Sequence, residues 1–166
     1  MSNIVLIGMP GCGKSTIGVV LAKVKGYRFL DADLLIQERE NRLLSEIIEE
    51  DGNDKFNQIE NEIICSINVD KSVIATGGSA IYGKEAMEHL RKIGVVIYIK
   101  LPYIEIEGRL GDLNERGISM KKGETLWDIY LERSPLYEHY SHIIVDVEGL
   151  TIRDSMILVK EKYEEY

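Results

Sequence analysis

The sequence predicts an α/β fold built on a doubly wound parallel sheet, and three observations predict it. Five short runs rich in β-branched residues occur at 3–7, 27–30, 72–76, 95–100 and 142–147, which is the composition of strands. The runs are largely apolar instead of alternating, as parallel strands covered on both faces should be. Stretches of 3.6-residue periodicity separate them, so helices are predicted at about 14–25, 34–41, 44–51, 55–68, 83–93, 124–140 and 151–163.

The first strand runs into Gly8-Met9-Pro10-Gly11-Cys12-Gly13-Lys14-Ser15 and then into a helix. This satisfies GxxxxGK[ST] in the strand-to-helix setting that gives the pattern its meaning. Glycines at 8, 11 and 13 let the backbone turn its N–H groups toward an anion, and the helix adds the positive end of its dipole. Gly11, Cys12, Gly13, Lys14, Ser15 and Thr16 are therefore nucleotide-binding candidates. Lys14 would hold the β- and γ-phosphates of ATP, and the Ser15 hydroxyl would sit on Mg²⁺. The plainer alternative is a glycine turn with a capping serine, and the complete eight-residue pattern weighs against it. No Asn-Lys-x-Asp guanine-reading motif occurs and the chain is short for a motor ATPase, which leaves a small-molecule kinase.

The second strand ends in Leu30-Asp31-Ala32-Asp33, placing two carboxylates at the sheet edge where open α/β folds bind ligands. Two apart on a strand, Asp31 and Asp33 would point oppositely and do different jobs, one toward Mg²⁺ and one toward an acceptor. The competing reading makes Asp33 only the cap of a helix beginning at Leu34, which leaves Asp31 without a purpose. Farther on, the polar stretch at about 111–124 carries three glycines and no strong periodicity. It reads as a lid that would keep water from a transferable phosphate. His89, His139 and His142 have no ligand spacing, and Trp127 with the tyrosines around it reads as helix packing.

Composition bounds the rest. With 166 residues, 45% of them hydrophobic, one ordinary core and a single domain over 1–166 are expected. The net charge of −8 argues against a nucleic-acid partner, which would need a basic face. No long apolar run and no signal-peptide pattern occurs at Met1 to Gly8, so the expectation is a cytoplasmic protein with no membrane partner. Cys12 and Cys65 are isolated and suggest neither disulfide nor metal cluster. A monomer is the default for this size.

Five segments taken together resemble shikimate kinase: the loop Gly8 to Ser15, Asp31-Ala32-Asp33, Asp51-Gly52-x-x-x-Phe56-x-x-Ile59-Glu60, Thr76-Gly77-Gly78-Ser79-Ala80, and Glu132-Arg133-Ser134-Pro135-Leu136-Tyr137. The resemblance covers nearly the whole chain. It implies a three-layer P-loop NTPase fold, with a five-stranded parallel sheet in the order 2-3-1-4-5, helices on both faces, a mobile lid and substrate-binding helices at about 34–61. It implies Asp33 as the residue that orients or deprotonates the attacking hydroxyl, and Asp31 as a partner of Mg²⁺ through water. Gly77 and Gly78 would bring backbone amides to the substrate, and Arg133 would grip its carboxylate. Arg116 would approach the phosphates from the lid and Arg109 would stack on adenine. From sequence context alone, Arg133 reads as a solvated helix arginine, and Arg109 and Arg116 as surface charges.

The chain departs from the family at three places. Phe56-Asn57 stands where the family has Phe-Arg, Ser79 stands for a usual third glycine, and Gly117 follows the lid arginine in place of proline. Loss of a charge-assisted hydrogen bond at 57 would weaken carboxylate binding by about 10- to 150-fold if nothing replaces it. Three readings follow: a shikimate kinase in which another basic residue compensates, a kinase for a different polyol or sugar acid such as gluconate read by Asn57, and a nucleotide-binding module without catalysis. Retention of Lys14, Ser15, Asp31, Asp33, Arg116 and Arg133 ranks the first highest and the last lowest.

Overall fold

Strands Asn3–Ile7 (β1) and Ser72–Ala75 (β3) are buried at every position, and because successive side chains alternate between faces, both faces of the sheet centre must be covered. The computed structural model describes residues 2–110 and 118–166. Arg28–Asp31 (β2), Gly94–Lys100 (β4) and Ile143–Asp146 (β5) complete a five-stranded sheet in the order β2-β3-β1-β4-β5. Every pairing is parallel, with Ile4 opposite Val73 on one side of β1 and Val95 on the other. The buried Asn3 side chain ties this centre together by donating to the carbonyls of Val69 and Ile93 while accepting from Ser72 N–H.

Between the strands lie helices Lys14–Lys25 (α1), Ala32–Glu40 (α2), Leu44–Asp51 (α3), Asn53–Cys65 (α4), Lys84–Ile93 (α5), Tyr103–Arg109 (α6), Leu126–Tyr140 (α7) and Ile152–Glu165 (α8), with a 3₁₀ turn at Ala80–Tyr82. Two of these were not expected, α6 and the 3₁₀ turn. The α6 sequence alternates Tyr103-Ile104-Glu105-Ile106-Glu107 like a strand, yet Pro102 precedes it, only Ile106 is buried, and Tyr103 Oη donates to Glu107 one turn on. The start of α2 also differs. It begins at Ala32 instead of Leu34 because Asp31 is the N-cap, its Oδ1 accepting from Asp33 N–H at 2.9 Å.

A second apolar cluster sits apart from the sheet core. Ile36 of α2, Ile47 of α3 and Phe56, Ile59 and Ile63 of α4 pack together, and each fully buried side chain of this kind contributes about 1.5–3 kcal/mol. The three helices expected to bind substrate are thus held as one unit beside the sheet edge. Of the stretch expected as a lid, residues 111–117 lie outside the described residues, while 118–120 are irregular and lie against α4. Trp127 is 45% exposed and packs between Tyr103 and Tyr130 at the surface. Among the described residues no helix is long and apolar enough to cross a membrane.

Candidate functional site

The turn after β1 is shaped by φ. Gly11 at +81° and Gly13 at +97° occupy the left-handed region that other residues resist. Gly13 is the N-cap of α1, and among the described residues no side chain caps that helix, so its first N–H groups are left directed at whatever occupies the turn. Lys14 is buried and donates from Nζ to the carbonyls of Gly8 (2.7 Å) and Met9 (2.9 Å). Ser15 Oγ donates to Asp31 Oδ2 at 3.2 Å. Asp31 therefore does two things at once, capping α2 with one oxygen and meeting Ser15 with the other. That leaves the Asp33 carboxyl free of any capping duty.

Asp33 lies in the first turn of α2 beside a second carboxyl, Glu60 of α4, which is 1% exposed. Among the described residues, Asp33 Oδ1 and Glu60 Oε2 are both buried without a hydrogen-bond partner. They converge on Gly77: a Cβ there would lie 2.8 Å from each oxygen, so a side chain at this position would displace both carboxyls. Burial pushes Asp33 up to about 6, with Asp31 adding to it and Lys14 opposing. Burial also pushes Glu60 up to about 7, with Asp33 adding to it and the Ser79 hydroxyl, Arg133 and Lys14 opposing. Ser79 Oγ donates to Glu60 Oε1 at 2.7 Å.

These shifts fix a sign for stability. A carboxyl with a folded-state pKa above its ordinary value contributes stability fully below that ordinary value and loses it as pH rises through the folded value. For Glu60 the window runs from 4.5 to about 7, worth about 3 kcal/mol at roughly 1.4 per unit, and Asp33 acts in the same direction. Thermal unfolding of wild type is expected to fall more steeply than that of Glu60→Gln between these pH values. Parallel curves would contradict it.

The opposite wall of the cavity is set by Arg133, which is 1% exposed, not solvated. Its Nε donates to Tyr82 Oη at 3.3 Å and its Nη2 to the Ser119 carbonyl. Burial works against the guanidinium charge, and Tyr137 and Tyr82 more than offset it. Tyr137 Oη in turn donates to Gly78 O at 2.6 Å, and a Cβ on Gly78 would come within 3.0 Å of Arg133 Nη1. Phe56, Leu44 and Ile118 supply the apolar lining of a cavity of about 330 Å³.

Most predicted site residues meet in this cavity: Gly11, Gly13, Lys14, Ser15, Thr16, Asp33, Gly77, Gly78, Ser79 and Arg133 all line it. Asp31 reaches it through Ser15. Cys12 is buried behind the turn, its Sγ 3.7 Å from Lys14 Nζ. Arg109 lies against the back of the turn, Nη1 donating to Gly11 O at 3.4 Å and Cys12 O at 3.5 Å. Asn57 does not line the cavity; its Oδ1 lies 3.4 Å from Ser119 Oγ, whose nearer acceptor is Asn53 Oδ1 at 3.1 Å, and Ser119 takes the lining position instead. Arg116 and Gly117 lie outside the described residues. Sequence reasoning gave no role to Glu60, Ser119, Tyr82 or Tyr137. Two of these carried a signal, since Glu60 and Tyr137 fall inside the quoted motifs.

The oxygen donors suit a hard cation only in part. Among the described residues no group of three or more His, Cys, Asp or Glu could hold a metal. Ser15 with Asp31 behind it fits Mg²⁺ as that ion is ordinarily held, by few protein oxygens with phosphates and waters completing the octahedron.

Comparison with known proteins bears on this geometry. The shikimate kinase family model matches residues 10–163. A shikimate kinase of Clostridium botulinum (strain Eklund 17B / Type B) is 38% identical over 161 residues, 96% of each chain. That of Thermodesulfovibrio yellowstonii is 35% identical over 167 residues, 99% of this chain and 96% of its own. Among solved structures, shikimate kinase from Acinetobacter baumannii in complex with shikimate superposes with a TM-score of 0.88 at 27% identity, covering 99% of this chain and 94% of that one. The Aquifex aeolicus enzyme gives 0.82 at 25% identity, covering 98% and 96%.

Proposed function

Since the chain belongs to the shikimate kinase family, we propose that its cavity transfers the γ-phosphoryl group of ATP to a hydroxyl of shikimate, giving shikimate 3-phosphate for aromatic amino acid biosynthesis. The observation that supports this best is the convergence of Lys14, Asp33 and Arg133 on one cavity. One end offers backbone N–H groups and an ammonium to phosphates. The other offers a guanidinium to a carboxylate, with the buried Asp33 oxygen between them.

In this reading the Asp33 Oδ1, which has no partner among the described residues, accepts a hydrogen bond from the attacking hydroxyl and takes its proton as the new P–O bond forms and the bond from the γ-phosphorus to the bridging oxygen breaks, releasing ADP. Lys14 exchanges its loop carbonyls for the β- and γ-phosphates, and the N–H groups of the turn bind the remaining oxygens. Mg²⁺, held by Ser15 with Asp31 behind it, would neutralise charge on the phosphates. Arg133 pairs with the substrate carboxylate, Gly77, Gly78 and Ser79 line the ring, and Arg109 stands at the adenine side. Transfer in a wall of buried groups favours the sugar-like hydroxyl over water. The reading includes a cytoplasmic monomer acting on a small molecule, without nucleic-acid or membrane partners, and the net charge of −8 supports the absence of a nucleic-acid partner.

The alternative, a kinase for another polyol or sugar acid such as gluconate, draws on asparagine at 57 in place of an arginine. Against it, Asn57 is turned to Ser119 and is not among the residues that line the cavity. A coupled ADP-release assay with Mg²⁺-ATP and shikimate, run beside quinate, gluconate and no acceptor, decides between them. Shikimate-dependent turnover well above the other arms is expected. Equal background in every arm, or a higher rate with gluconate, would overturn the assignment.

A further inference from the structure

Glu60 is buried in the cavity wall, and the mechanism above does not use it. It sits on α4 one turn after Asn57, so side chains at 57 and 60 share a helix face. The arginine usual in the family at 57 would therefore lie within reach of the Glu60 carboxylate. Here Asn57 is turned to Ser119. Among the described residues no cation lies within ion-pair distance of Glu60. What meets it instead is the Ser79 hydroxyl, 2.7 Å from Oε1 and itself 6% exposed. Serine at 79 is the second of the chain's three departures from the family, standing where glycine, which has no side-chain donor, is usual. The two departures thus lie on two sides of one carboxyl.

We propose that Ser79 is a positioning residue for Glu60, and that asparagine at 57 and serine at 79 form one compensating pair in which a hydroxyl holds the carboxyl that a cation at 57 would hold. The consequence is directional. With Oε1 held by Ser79, Oε2 faces Asp33 Oδ1 across Gly77, where a second substrate hydroxyl gives Oε2 its partner while the attacking hydroxyl occupies Asp33 Oδ1. A neutral donor also leaves the charge of Glu60 unfixed, so it can donate to that hydroxyl when protonated and accept when ionised. The groups that face it are Ser79, Asp33 from α2, Lys14 from α1 and Arg133 from α7, and burial with Asp33 outweighs the rest to hold it near pH 7.

The proposal rests on the shikimate reading only through the substrate used as a probe, so its test has a second arm that needs none. Wild type, Ser79→Ala, Asn57→Arg and the double variant would be compared, with Ser79→Gly, the usual family residue, in place of Ser79→Ala should that variant fail to fold. In the free protein, the Glu60 side-chain carboxyl is titrated by ¹³C NMR, its signal assigned by loss in Glu60→Gln. Removing the Ser79 hydroxyl is expected to raise the Glu60 midpoint, and Asn57→Arg to lower it on either background. In the assay, Ser79→Ala is expected to raise the shikimate KM by about 2- to 10-fold, the range for one neutral hydrogen bond, with little change in kcat. Adding Asn57→Arg should then restore it. A Glu60 midpoint unmoved by Ser79→Ala overturns the proposal whatever the acceptor proves to be, and so does a double variant whose KM change is the product of the singles. Absence of shikimate turnover with the midpoint moved as expected overturns only the substrate reading.

Discussion

Replacing Asp33 with asparagine is expected to lower kcat by about 10²- to 10⁴-fold, the range for losing a general base, while ATP affinity stays essentially unchanged. The carboxyl and the amide are nearly the same shape. The backbone N–H that Asp31 caps belongs to residue 33 whatever its side chain, so the first turn of α2 keeps its place. What is lost is an acceptor that can take a proton at Oδ1, where no group among the described residues satisfies it. Stability should hold or rise, because an uncharged neighbour removes the repulsion between Asp33 and Glu60. Single-turnover transfer with a parallel calorimetric titration of nucleotide separates the cases. Equal loss of nucleotide affinity would place Asp33 on the phosphate side, and an unchanged kcat would remove it from proton transfer.

The remaining wild-type activity carries its own check on sign, since Asp33 acts as base only when ionised. With its pKa pushed up to about 6, kcat/KM in the free enzyme should climb through that region as pH rises. This rise runs against the stability trend derived for Glu60, so the enzyme gains activity where it loses some stability.

How much of this was legible in the sequence depended on how local each signal is. The phosphate turn was legible because eight consecutive residues and a flanking strand and helix define it. The two-residue error at α2 arose because Asp31 and Asp33 are both good caps by composition, and only the fold reveals which one accepts the N–H. Glu60 and Arg133 left a signal that went unused. Phe56, Ile59, Ile63 and Ile64 form an apolar stripe on α4 that includes Glu60, and Leu126, Ile129 and Tyr137 form one on α7 that includes Arg133. A charge on the buried stripe of a helix is rare unless something pairs with it, which marks both positions without any relative to compare. The Asn57–Ser119 bond left none, because it joins side chains 62 residues apart. Strand order, likewise, came from the family resemblance and not from periodicity, which cannot say that β3 lies between β2 and β1.

Replacing Arg133 with lysine is expected to raise the shikimate KM by about 10- to 150-fold, the loss of one charge-assisted hydrogen bond at roughly 1.5–3 kcal/mol, and to leave the ATP KM nearly constant. Lysine is the informative change because it keeps the charge. Alanine would empty the space of a side chain only 1% exposed and confound recognition with collapse. Arginine meets the Tyr82 hydroxyl, the Ser119 carbonyl and the Gly78 wall with one planar fork, and an ammonium cannot reproduce that geometry. Left without its donor, the buried Ser119 carbonyl should lower stability by about 1–3 kcal/mol. Thermal unfolding of the free protein measures that loss, and a shikimate titration at saturating ATP measures the other. A lowered midpoint with an unchanged shikimate KM would make Arg133 a tie between the 3₁₀ turn and residues 118–120, not a carboxylate clamp. A KM rise that persists after conditions are chosen to keep both proteins fully folded would place the guanidinium on the substrate.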